Sequence, residues 1–178
     1  MSKRIMQLGL ALLLAPGLRL GFVAAPRAFI ETLGAVRVYV DRPGDSVTEQ
    51  AVAELIEEGE LARHAGRMRR IYHARRDAFA ELLGRHLGGA LTFDVPTGGM
   101  ALWAEARPDI DTRGWLERAA QKGVAFATGR SYVAPDLSGR RARHYAQCLR
   151  LGFARYDEAE LGLAVRRMAS ALGSGQKP

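Results

Sequence analysis

Two arginines stand in identical settings, Leu18-Arg19-Leu20-Gly21-Phe22 and Leu149-Arg150-Leu151-Gly152-Phe153. In each copy apolar residues alternate with the arginine, the pattern of a strand that buries one face and holds a guanidinium on the other. The glycine that follows lets a ligand approach the backbone. A guanidinium presents paired donors in a planar fork, so two strand-mounted copies point to an anionic, two-ended small molecule. The other reactive groups offer less. Cys148 is the sole cysteine, which rules out an internal disulfide and a cysteine-rich zinc site. With no His or Asp pattern beside it, Cys148 reads as a small strand residue and not a nucleophile. His64, His73, His86 and His144 lack metal-site spacing backed by carboxylates, so no metal site is expected.

The chain that positions these groups has 178 residues, 48% hydrophobic and 25% charged, enough for one ordinary domain or a domain with pieces of another. Lys and Arg outnumber Asp and Glu by 26 to 19, a net charge of +7. Lys3 and Arg4 precede an apolar run over 5–15 that imitates a secretory signal. The run is too short to span a membrane, and the first arginine motif begins at its end without a spacer or cleavage site. A cytoplasmic protein with no membrane contact is expected.

In chain order, a strand over 18–23 precedes a helix from Pro26 to about Val38, and turn chemistry breaks the chain at 39–44. Ser46-x-x-Glu49 has the form of a capping box for a second helix that Gly59 ends. A long helix is predicted over 60–87, with Leu61, Ala65, Met68, Tyr72, Phe79, Leu82 and His86 as its apolar stripe. Its Arg63, Arg67, Arg69, Arg70, Arg75 and Arg76 offer a phosphate-neutralising face. No aromatic platform or helix-turn-helix pattern accompanies them, so we read a solvated or interdomain helix face. Leu91, Phe93 and Val95 alternate as a strand, turned by 96–99 into a hairpin partner over 100–105, with Met100 and Trp103 read as hairpin core. Asp111 or Thr112 caps a helix to Lys122, Val124 to Ala127 reads as a short strand, and 129–144 reads as an arginine-rich loop. The second arginine strand covers 147–154. Asp157-x-x-Glu160 opens a last helix faced by Leu161, Val165, Met168 and Leu172. The fold expected is α/β: an α+β small domain whose helices pack on one face of a small, mainly antiparallel sheet. The strand over 18–23 is left without a partner in this reading, an exposed edge that favours association.

Taken together, Ala15-Pro-Gly-Leu-Arg-Leu-Gly-Phe22, Gly59-Glu-Leu-Ala-Arg-His64 with Arg67-Met-Arg-Arg-x-Tyr72-x-x-Arg-Arg76, Gly98-Gly-Met-x-Leu-Trp103, Gly123-Val-x-Phe-Ala-x-Gly129 and Leu149-Arg-Leu-Gly-Phe-Ala154 form an ordered set. This set resembles the C-terminal part of fold-type I pyridoxal-phosphate aminotransferases, and most of all the aminotransferase-like domain of MocR-type regulators in the GntR superfamily. The resemblance covers residues 13–172. It implies that Arg19 pairs with the cofactor phosphate and Arg150 grips the α-carboxylate of an amino or keto acid. It divides the chain into a remnant of the large cofactor-binding domain with connecting helices over 1–58, the small domain over 59–173 and a tail over 174–178. It further implies pyridoxal 5'-phosphate as cofactor, a homodimer for the intact protein, and DNA contact only through a winged-helix domain lacking here.

The departures from that pattern bear on chemistry. Counting back seven residues from Arg19, Leu12 occupies the place of the lysine that forms the internal aldimine. Leucine can neither form a Schiff base nor shuttle a proton. No catalytic residue is therefore expected, and cofactor binding by this chain alone is in doubt. The reading is a catalytically incomplete piece of an aminotransferase-like protein, from a truncated or frame-disrupted gene or an internal start. The alternative is a stand-alone carboxylate-binding or interaction module.

Overall fold

A computed structural model describes residues 7–10, 20–40, 44–134 and 138–173. Leu12 and Arg19 lie outside the described residues. Contacts group the chain into two compact units, divided between Arg70 and Ile71.

In the first unit, β1 (Gln7–Leu10) pairs antiparallel with β2 (Gly21–Ala24), from Gln7 opposite Ala24 to Leu10 opposite Gly21. The strand of the first arginine motif thus has a partner in its own chain, contrary to expectation. That partner comes from the apolar run that imitates a signal, because consecutive apolar residues serve a strand as readily as a helix. Next, α1 (Arg27–Val40) follows Pro26, whose carbonyl accepts from the amides of Phe29 and Ile30. It reaches beyond Tyr39, where a turn is predicted. For α2 (Ser46–Glu57) the cap is Asp45 and not Ser46: its carboxylate accepts from the Thr48 amide at 3.1 Å. Glu49, predicted to complete a capping box, instead takes a hydrogen bond from Arg37 at 2.6 Å. Gly59, at φ +72°, adopts a left-handed turn that a side chain would strain, and separates α2 from α3 (Glu60–Leu87).

The second unit holds the core. Strands β3 (Leu91–Phe93), β4 (Ala101–Ala106), β5 (Ala127–Thr128) and β6 (Cys148–Gly152) form an antiparallel sheet in the order β3-β4-β6-β5. Alternation sends Leu102, Ala104, Ala106, Leu149 and Leu151 to one face, where all are buried. Against that face pack Phe79, Leu83 and Leu87 of α3, Trp115 and Ala119 of α4 (Thr112–Gln121), and Leu161, Val165 and Met168 of α6 (Glu158–Ala171). The buried stripe of α3 is therefore Phe79-Leu83-Leu87, one residue out of phase with the predicted Leu82 and His86. Inside this core the Trp115 indole N–H donates to the Met168 carbonyl at 2.8 Å, which satisfies its one polar atom. Both predicted helix starts hold. Asp111 caps α4, and Asp157 with Glu160 forms a capping box on α6.

The stretch 129–144 differs from its predicted loop. It contains a 3₁₀ turn (Gly129–Tyr132) and a helix, α5 (Gly139–Gln147), before β6. No residue of α5 is buried, and Ser138 makes no side-chain capping bond. Only Ala142, Tyr145, Ala146 and Gln147 lean inward, too short and polar a stripe to stand out among arginines.

Candidate functional site

The site assembles on the sheet face opposite the core. Leu149 and Leu151 are drawn into the core, so the side chain of Arg150 between them must leave by the other face, where it is exposed. Its neighbours across the sheet are Trp103 on β4 and Ala127 on β5. Two strand positions beside it are small: Ala127 on one side and Gly152 along β6. A side chain added at Gly152 would meet only the Met100 carbonyl, at 3.9 Å. The guanidinium therefore has an open approach on one flank and an aromatic wall on the other.

That wall was missed in the sequence. Trp103, read as hairpin core, is 41% exposed and stands edge-on to Tyr132, ring centroids 5.9 Å apart. The signal was present. Leu102, Ala104 and Ala106 set the buried phase of β4, and Trp103 falls between them. Met100, the other residue read as core, is half-buried just before β4, and its carbonyl accepts from the Phe153 amide at 3.1 Å.

One position along the face, Glu105 lies opposite Cys148 and its carboxylate meets His144 Nδ1 of α5 at 3.2 Å. Cys148 is buried beneath them, with Sγ 3.4 Å from the His144 carbonyl oxygen. Burial pushes the thiol above its ordinary pKa, and the charge of Glu105 adds to this. A histidine does stand near the thiol, yet the thiolate is disfavoured, which agrees with a structural cysteine. Gly129 allows this packing: an added Cβ would lie 2.4 Å from the Tyr145 carbonyl oxygen.

Two arginines from the basic half of α3 are fixed as well. Arg75 donates to the Ala154 carbonyl just beyond β6, and Arg76 to the Pro96 carbonyl at 2.9 Å. Arg63 is paired with Glu60. These groups brace strand ends or neighbouring carboxylates, so they do not form a free basic face.

As chemistry, the face can bind and orient an anion. The described residues include no group of three potential metal ligands. Their one lysine, Lys122, ends α4 on the core side of the sheet, away from the face of Arg150. The described residues of this face supply no amine to carry pyridoxal phosphate, and Arg19, the residue that the resemblance assigns to its phosphate, lies outside them. The described residues also contain no helix long and apolar enough to cross a membrane.

Comparison with known proteins places this geometry in context. Residues 13–168 match the family model for aminotransferase class I and II. The chain is 30% identical over 98% of its length to aromatic-amino-acid aminotransferase 1 of Thermococcus litoralis, and covers 40% of that protein. It is 35% identical over 71% of its length to the probable rhizopine catabolism regulatory protein MocR of Rhizobium meliloti, covering 26% of it. Among solved structures, LysN, an alpha-aminoadipate aminotransferase of Thermus thermophilus complexed with N-(5'-phosphopyridoxyl)-L-leucine, superposes with a TM-score of 0.81 at 28% identity. The match covers 94% of this chain and 41% of that one. The chain thus spans about two fifths or less of the length of these proteins.

Proposed function

The chain belongs to the class I and II aminotransferase family, which works with pyridoxal phosphate, and from that premise we propose that Arg150 holds the carboxylate of an amino or keto acid while this chain performs no transamination itself. The observation that carries the reading is an exposed guanidinium with no partner among the described residues, held on a central strand between Trp103 and Ala127. The strand fixes its backbone, and the unengaged guanidinium can meet a carboxylate through two parallel N–H donors. In the intact protein Arg19 would take the cofactor phosphate. Leu12 stands where the family's lysine would, so the covalent step has no amine.

Relatives that are transcriptional regulators support a sensing role, in which ligand occupancy at Arg150 is the signal. The small domain over 59–173 would bear the ligand carboxylate, and residues 1–58 would complete the cofactor side in a homodimeric protein.

Calorimetry with amino and keto acids tests the reading. Saturable binding should be seen with the natural chain and lost in Arg150→Ala; no binding, or equal binding by the variant, would overturn it. Incubation with pyridoxal phosphate and borohydride should leave no stoichiometric adduct near residue 12, and an adduct accompanied by transaminase turnover would reverse the assignment of Leu12.

A further inference from the structure

We propose that α5 and the 3₁₀ turn beside it form a docking face for the phosphate backbone of a nucleic acid, separate from the carboxylate role of Arg150. Residues 129–156 contain six arginines against one acid, Asp136, a net +5 that leaves only +2 for the other 150 residues. The charge is concentrated further by the fold. On the α5 helix, Arg140, Arg143, His144 and Arg141 occupy one exposed side, while Ala142, Tyr145 and Ala146 turn inward. Arg130, also exposed, sits on the 3₁₀ turn against which α5 packs.

None of these four guanidiniums has a hydrogen bond or ion pair among the described residues. The carboxylates around α5 are engaged with other groups than these guanidiniums: Glu105 with His144 of the same helix, Asp109 with Arg107, and Asp111 as the cap of α4. The contrast with α3 matters. There Arg63, Arg75 and Arg76 are satisfied within the protein, leaving Arg69 and Arg70 without an ion-pair partner among the described residues, whereas α5 and its turn carry four guanidiniums without one. Such clustering costs free energy unless a polyanion neutralises it. The choice of arginine throughout, with no lysine in residues 129–156, favours phosphate oxygens, which accept the planar fork bidentately.

The test is fluorescence anisotropy of a labelled 20-base-pair duplex with the whole chain between 50 and 200 mM KCl. Four neutralised phosphates give a log–log salt slope of about −3.6, so affinity should fall roughly 100-fold over that range. The triple variant Arg140→Gln/Arg141→Gln/Arg143→Gln keeps only Arg130, and its slope should shrink to about −1. The double variant Arg69→Gln/Arg70→Gln, on exposed arginines of α3, should behave as the natural chain. Thermal melting of both variants checks that they remain folded. An unchanged slope in the triple variant, an equal loss in the α3 variant, absence of duplex binding at 50 mM, or equally tight binding of polyglutamate would each overturn the proposal.

Discussion

Arg150 owes its availability to the phase of the strand that carries it. Its neighbours Leu149 and Leu151 are buried at 0% and 2% exposure, so the arginine cannot turn inward without pulling both from the core. This much was legible from the repeated pentapeptide. The company Arg150 keeps was not, because pairing register decides which residues of β4 and β5 stand beside it. A sequence shows alternation within a strand but not which strand lies next to which. On the proposed role, the fork and not the charge alone would be the recognising feature. Arg150→Lys should keep the charge but lose the paired donors, weakening keto-acid binding by about tenfold in calorimetry. Cys148 yields a second prediction. Since burial raises its pKa, the folded chain should react with iodoacetamide at pH 7.5 far more slowly than the urea-unfolded chain. Raising the pH through the ordinary thiol range should speed the unfolded chain first. The same shift slightly favours the folded state below that range, an advantage lost as the pH climbs through the folded-state value.

At the scale of elements, helices announced by a start signal and a break were readable, whereas α5, which has neither a capping bond nor a buried stripe, was not. α6 has both signals, a capping box at Asp157 and Glu160 and a face of Leu161, Val165 and Met168 in the core. Removing the cap with Asp157→Ala should cost about 1 kcal/mol in urea melts. Leu83→Ala, which empties a wholly buried position in α3, should cost roughly 2–5 kcal/mol. α5 shows the opposite case. It is held by its contact with the 3₁₀ turn and by tertiary position, and neither leaves a mark in periodicity. The cap of α2 shows a finer limit. Asp45 and Ser46 are both good N-caps by type, and only the geometry at Thr48 separates them.

For the whole molecule, the ordered set of motifs carried more information than any composition or period. It pointed to the aminotransferase family before any strand pairing was known, and the family match over residues 13–168 bears that out. Charge was legible in amount but not in use. The basic half of α3 offered a phosphate-neutralising face but was read as a solvated or interdomain one, and its Arg75 and Arg76 tie down Ala154 and Pro96 while the arginines of α5 have no ion-pair partner among the described residues. The chain contains two tryptophans, and the sheet separates them. Trp115 is fully buried with its N–H bonded to Met168, whereas Trp103 stands in solvent next to Arg150. The protein should thus carry two internal fluorophores of different colour, a buried one expected to report unfolding and an exposed one placed to report occupancy of the arginine. In Trp103→Phe the emission shift on denaturation should persist while quenching by an aromatic keto acid disappears, so that binding and folding can be read from one cuvette.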